Sequence, residues 1–178
     1  MDDYKTISGK EVIGERNGKG KEYILGTEIL IFEGDYINGK KSGKGKEFYN
    51  DGKIRFEGEY LNGIKIEGKR NGYGKEYFIG ELIFEGEYKN NLRNGKGKEY
   101  HDNGKLKYEG EYLYDKRNGN GKEYDDINGK LIFEGEYLNG KKNGKGKKYD
   151  VINGKLLFEG EYLNDKKNGK GKEYSYVD

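Results

Sequence analysis

The chain has 178 residues, of which 38% are charged and only 31% hydrophobic, and its formal net charge is +2. No Cys, Pro, Trp, Ala or Gln occurs, so disulfides, thiol catalysis and thiolate metal sites are excluded together. A small net charge gives no general attraction to nucleic acid or membranes. The polarity is that of a disordered chain, but 18 Tyr and 7 Phe at even spacing are not. With 32 Gly, no Ala and many Tyr, Phe and Ile, the composition favours strands over helices.

Residues 1–17 read as a degenerate N-terminal cap and the start of a first repeat, around Val12, Ile13, Gly14 and Glu15. From Gly18 a Gly-x-Gly element recurs, beginning again at Gly43, Gly72, Gly95, Gly119, Gly144 and Gly169, with spacings of 25, 29, 23, 24, 25 and 25. A partner element, aromatic-Glu-Gly-acid-Tyr, begins at Phe32, Phe56, Phe84, Tyr108, Phe133 and Phe158. Such periodicity is the mark of a repeat architecture. The repeats occupy residues 18–174, the 29-residue spacing reflects an insertion at residues 64–68, and residues 175–178 are a tail.

Each unit holds two short strands. In the first, Phe133, Gly135 and Tyr137 alternate with Glu134 and Glu136, so rings and glycine share one face and carboxylates the other. Asn139 and Gly140 supply the positive φ angles of a tight hairpin turn. In the second, Gly144 and Gly146 alternate with Lys145 and Lys147, and Asn153 and Gly154 turn the chain into the next unit. The predicted fold is all-β, an elongated single-sheet antiparallel meander of about fourteen strands, ~65 Å long at ~4.8 Å per strand. A ring lying flat over a residue with no side chain explains glycine inside a strand. Glu and Lys facing each other across strands predict a mixed-charge ladder on the opposite face.

The segment at residues 133–147, Phe-Glu-Gly-Glu-Tyr-Leu-Asn-Gly-Lys-Lys-Asn-Gly-Lys-Gly-Lys, resembles the MORN repeat (membrane occupation and recognition nexus). The likeness runs from about Gly9 to Tyr174, with Lys-Glu-Tyr after Gly-x-Gly as a departure from the more apolar family pattern. It implies a stack of antiparallel hairpins, a MORN-type ribbon, that serves as a non-enzymatic scaffold. On that pattern the groove-lining aromatics are Phe32, Tyr36, Phe56, Tyr60, Phe84, Tyr88, Tyr108, Tyr112, Phe133, Tyr137, Phe158 and Tyr162. The structural glycines between them are Gly34, Gly58, Gly86, Gly110, Gly135 and Gly160.

Catalysis finds little support. His101 is the one histidine and reads as an exposed turn residue, and the Glu pairs recur in nearly every unit, unlike a unique active site. Gly18-Lys-Gly-Lys lacks the spacing and the Ser or Thr of a phosphate loop. The expected function is protein association or self-assembly through the aromatic-glycine groove, without cofactor, small-molecule substrate or nucleic acid. An unpaired final strand edge gives self-association its physical basis. The alternative is peripheral binding to anionic lipid through lysine-rich turns, with Lys141, Lys142, Lys145 and Lys147 facing the anions. With no apolar N-terminal run or spanning segment, the expected location is cytoplasmic, with cytoskeletal or membrane association left open.

Overall fold

The computed structural model describes the backbone at residues 4–7 and 10–14 and all atoms at residues 17–61 and 69–176. The predicted insertion at residues 64–68 lies outside the described residues. Every described element is a β-strand, and the chain divides into two compact units, Met1–Leu92 and Arg93–Asp178.

The first unit comprises β1 (Tyr4–Ile7), β2 (Lys10–Gly14), β3 (Gly18–Ile24), β4 (Leu30–Ile37), β5 (Lys40–Phe48), β6 (Ile54–Leu61), β7 (Lys69–Phe78) and β8 (Glu81–Lys89). The second comprises β9 (Leu92–Tyr100), β10 (Leu106–Leu113), β11 (Lys116–Tyr124), β12 (Leu131–Leu138), β13 (Lys141–Tyr149), β14 (Leu156–Leu163) and β15 (Lys166–Glu173). Within each unit every strand pairs antiparallel with the next in sequence, as the meander requires. The hairpins close as the Asn-Gly pairs predict: Asn139 and Gly140 have φ of 53° and 88°.

Register is set by glycine. Gly34 stands opposite Gly45 and Gly45 opposite Gly58, while in the second unit Gly121 faces Gly135 and Gly135 faces Gly146. The backbones are so close that a Cβ added at Gly34 would lie 2.7 Å from the Gly45 Cα. One face of this glycine row carries the rings. A Cβ on Gly45 would meet Phe32 Cζ at 2.5 Å, and one on Gly171 would meet Phe158 Cζ at the same distance.

The two glycines of Gly-x-Gly therefore serve different ends, and only the second makes room for a ring. The first sits at a bulge with positive φ, +64° at Gly43 and +105° at Gly144. The strand register shifts there, between Gly34 and Tyr36 and between Gly135 and Tyr137. A Cβ at Gly43 would strike the Asp35 carboxylate, 3.1 Å away, on the face opposite the rings. That carboxylate accepts a hydrogen bond from the Lys44 amide at 3.1 Å, and Glu136 does the same for Lys145 at 3.3 Å. The acid before each ring-face tyrosine thus fixes the bulge, which is why it recurs.

The core is a chain of edge-to-face rings. Phe32 meets Tyr36 of its own repeat at 5.8 Å and Tyr60 of the next at 5.2 Å, with planes 90° and 84° apart. Phe133 repeats this with Tyr137 and Tyr162 at 5.7 and 5.2 Å. Each such pair stabilises by about 0.5–1.5 kcal/mol beyond the area it buries.

Tyr108 stands where the other repeats have Phe, and its hydroxyl is buried without a hydrogen-bond partner. Tyr108→Phe removes an unsatisfied buried group and keeps the ring. It should raise unfolding stability by about 1 kcal/mol in a urea titration, and an unchanged or lower midpoint would show that the hydroxyl is accommodated.

Candidate interaction surface

The two faces of the strands have different chemistry. On the ring face all twelve predicted groove aromatics are buried, from 0% exposure at Phe56 to 7% at Tyr162. They are the core and do not line an open groove, which corrects the groove drawn from the pattern. The physical reason is that cationic side chains cover them. Lys41 Nζ lies 3.9 Å from the centre of the Phe32 ring, and the Arg70, Arg117 and Lys142 head groups lie 4.1, 4.1 and 4.2 Å from Phe56, Tyr108 and Phe133.

These cations are held by carboxylates of the preceding repeat. Glu47 accepts hydrogen bonds from Tyr60 Oη at 2.8 Å, Arg70 Nη2 at 2.5 Å and Arg55 Nη2 at 2.6 Å. Glu99 serves Tyr112 and Arg117 at 2.7 Å each, and Glu123 pairs with Arg117 and Lys142 at 2.7 Å each. Burial alone would raise the Glu99 carboxyl, but Arg117 and Tyr112 hold it below its ordinary value. Burial first and the neighbouring carboxylates second push the Tyr60 and Tyr112 hydroxyls up, so both stay protonated donors. The glutamate of Lys-Glu-Tyr is therefore a functional part of the core that sequence reading passed over. Its signal was available as recurrence one residue before an aromatic, Phe48 after Glu47 and a tyrosine in the other copies.

The tyrosine of Lys-Glu-Tyr goes to the other face. Tyr77 and Tyr124 donate to Glu57 and Glu109 at 2.7 and 2.6 Å, and Tyr149, which follows Lys148 instead of a glutamate, donates to Glu134 at 2.7 Å. This gives a structural reason for the departure from the family pattern. Cross-strand ion pairs also form the predicted ladder, as in Lys46–Glu57 at 3.8 Å and Lys147–Glu134 at 3.8 Å. Pairs this long and exposed stabilise by at most about 1 kcal/mol each.

On that charged face of the first unit lies a trough of about 760 Å³. Its floor is the backbone of Gly20, Gly34, Gly45, Gly58 and Gly74, whose ring side is closed by Phe32 and Phe56. Its walls are Lys19, Lys21, Glu33, Lys44, Lys46, Glu57, Glu59, Tyr73 and Lys75. The sign of the wall charge changes from strand to strand along β3, β4, β5 and β6. Tyr73 occupies the middle position of its Gly-x-Gly, which is Lys in most other copies. It is 49% exposed, and its hydroxyl donates to Glu85 at 2.9 Å. Burial first and that hydrogen bond second push this phenol up to about 12.

The four lysines predicted to face anions are not brought together. Lys142 lies on the ring face, held by Glu123, whereas Lys145 and Lys147 lie on the charged face opposite Glu161 and Glu134. Lys141 is exposed at the hairpin end. Strand alternation separates them. The lysines after the Asn-Gly turns are also engaged: the Lys105 and Lys130 ammoniums donate to the Ile127 and Ile152 carbonyls of the next repeat. His101 is half-buried, not exposed, with Nε2 3.2 Å from the Tyr124 carbonyl oxygen. Among the described residues no group of three or more His, Cys, Asp or Glu side chains could hold a metal ion. Among the described residues no helix is long and apolar enough to cross a membrane.

No curated protein matches the chain. Among solved structures, the crystal structure of TarM aligns with 84% of this chain at 12% identity and a TM-score of 0.27, a likeness that carries no argument about function. The chain spans 21% of that protein's length. The family model for the MORN repeat matches residues 32–54, 66–79, 84–105, 108–129, 133–155 and 158–176, more than half of the chain. MORN repeats form a non-enzymatic repeat family whose members generally act as scaffolds for protein or membrane interactions. With the glycine register, the bulged hairpins and six matched segments in agreement, this chain belongs to the MORN repeat family.

Proposed function

We propose that this chain is a scaffold that takes a protein partner along the glycine-floored trough on its charged face. The observation that carries the reading is the change of wall charge from one strand to the next, Lys44 and Lys46 on β5 against Glu57 and Glu59 on β6. A uniformly anionic lipid surface is drawn to the lysine strands but meets repelling carboxylates, Glu33, Glu57 and Glu59, on the strands between them. A protein segment can match both signs and can lay apolar groups over the glycine backbone between them. The ring face supports the trough from behind and sets its strand spacing.

The test places a photo-crosslinking phenylalanine derivative at Tyr73, where an aromatic already stands half-exposed, and for comparison at Tyr114, which is 67% exposed in a hairpin turn. Irradiation in an extract of the native source should give a discrete protein adduct at position 73 and none at 114. Reversing the wall with Lys44→Glu and Lys46→Glu should abolish the adduct while the chain stays folded. Equal labelling at both positions, or labelling that survives the reversal, would overturn the trough as the contact surface.

A further inference from the structure

The ring face holds one place where the repeat breaks in charge. In the ladder, Glu22, Glu47 and Glu123 stand directly opposite Phe32, Phe56 and Phe133, and Glu99 opposes Tyr108 through its register with β10. From that position Glu22, Glu47 and Glu99 each reach the tyrosine and the cation of the following repeat, as Glu22 reaches Tyr36 at 2.9 Å and Lys41 at 3.0 Å, and Glu123 reaches the cation, Lys142, at 2.7 Å. At the equivalent position opposite Phe158 the chain has Lys148. The tyrosine and cation of that repeat are still present, as Tyr162 and Lys167.

The exchange of Glu for Lys leaves a defined deficit. Tyr162 is 7% exposed, and its hydroxyl is buried with no hydrogen-bond partner. The Tyr137 hydroxyl also lacks one, but there Glu123 stands in the ladder and pairs with Lys142, whereas at Tyr162 the carboxylate itself is missing. Lys148 is exposed and forms no ion pair among the described residues. Lys167 still covers the Phe158 ring at 4.4 Å, but it turns to Glu173 of its own strand at 2.7 Å, a pair in which Glu173 is 73% exposed. No carboxylate of this chain reaches the Tyr162 hydroxyl among the described residues.

We infer that Tyr162, Lys148 and Lys167 form a binding site for a carboxylate brought by an acidic segment of a partner protein, which occupies the place that a glutamate of the chain fills in the other repeats. The chemistry of the site is set by its own precedents. One phenol and one cation surround a carboxylate at Glu22 and Glu99, and here the same pair is joined by a second ammonium. Tyr162 stands opposite Lys167 in the ladder and Lys148 stands opposite Phe158, so a buried hydroxyl donor has a lysine on each neighbouring strand. That set selects a compact anion with acceptor oxygens, and the long lysine side chains are flexible enough to admit one. The site lies on the ring face of the second unit, so it stands or falls independently of the trough.

The test uses the full chain and a capped peptide in which Glu alternates with Gly, together with its Gln counterpart. Binding is followed through the ¹³C ring signals of Tyr162, identified by their loss in Tyr162→Phe. The acidic peptide should shift those signals at least 10-fold more effectively than the Gln peptide. Lys148→Glu restores the carboxylate within the chain, so it should both raise the melting temperature and reduce peptide affinity at least 10-fold. Lys147→Glu makes the same change of charge on the opposite face and should retain binding. Three results would overturn the site: Lys148→Glu that leaves melting temperature and peptide affinity unchanged, equal losses from Lys147→Glu and Lys148→Glu, or phosphatidylserine vesicles that shift the Tyr162 signals where the peptide does not.

Discussion

Gly135→Ala should destabilise the chain by about 3 kcal/mol, more than a single methyl group costs at most sites. The added Cβ would stand 2.6 Å from both the Gly146 Cα and the Lys145 carbonyl oxygen, and 2.9 Å from Phe133 Cζ. Two of these neighbours are backbone, so neither moves aside as a side-chain tip would. Relief requires the strands to separate, which breaks ladder hydrogen bonds and lifts Phe133 from the glycines beneath it. Gly154→Ala is the matched control. Its φ is +75°, but nothing lies within 4 Å of the new methyl, so only backbone strain of about 1–2 kcal/mol applies. Urea midpoints for the two variants separate close packing from conformational freedom. Equal losses would mean that the neighbouring backbones give way without the strands separating, and that close approach is not what keeps glycine at this position.

That distinction marks what was readable in the sequence. Period, strand alternation, the Asn-Gly turns and the family were all legible because they rest on local chemistry repeated many times. The ring row was legible as a set of residues, since Phe133, Gly135 and Tyr137 must share a face. Its role was not. Whether a ring lies open or is covered depends on side chains of the next strand, and the covering Lys142 looked like one more exposed lysine of a basic turn. The bulge was hidden for a similar reason: Gly144 and Gly146 look equivalent in sequence, yet a register shift gives only Gly144 a positive φ. The trough was missed because alternation places two charged rows on the back face without showing that a glycine floor lies between them.

Acid should weaken wild-type chain most where Glu47 titrates. Burial by itself raises this carboxyl, but hydrogen bonds and charge from Arg70, with Arg55 and Tyr60, hold it down at about 2, against 4.5 as its ordinary value. A carboxyl depressed on folding stabilises the native state above its unfolded pKa and loses that contribution as the pH falls towards its folded pKa. The stability is therefore present above about pH 4.5 and lost between about 4.5 and 2. A shift of this size corresponds to about 3 kcal/mol. Glu47→Gln keeps the shape and an acceptor for Tyr60, but leaves Arg70, a mostly buried cation lying over Phe56, with only the longer pair to Glu76 at 3.5 Å. The variant should be less stable than wild type by about 3 kcal/mol at pH 7, and the two curves should converge as the pH approaches 2. Urea titrations at a series of pH values measure both. Parallel curves for wild type and Glu47→Gln across that window would mean that Glu47 is not depressed by its partners. The ionic cover would then be an ornament of the ring core, not one of its supports.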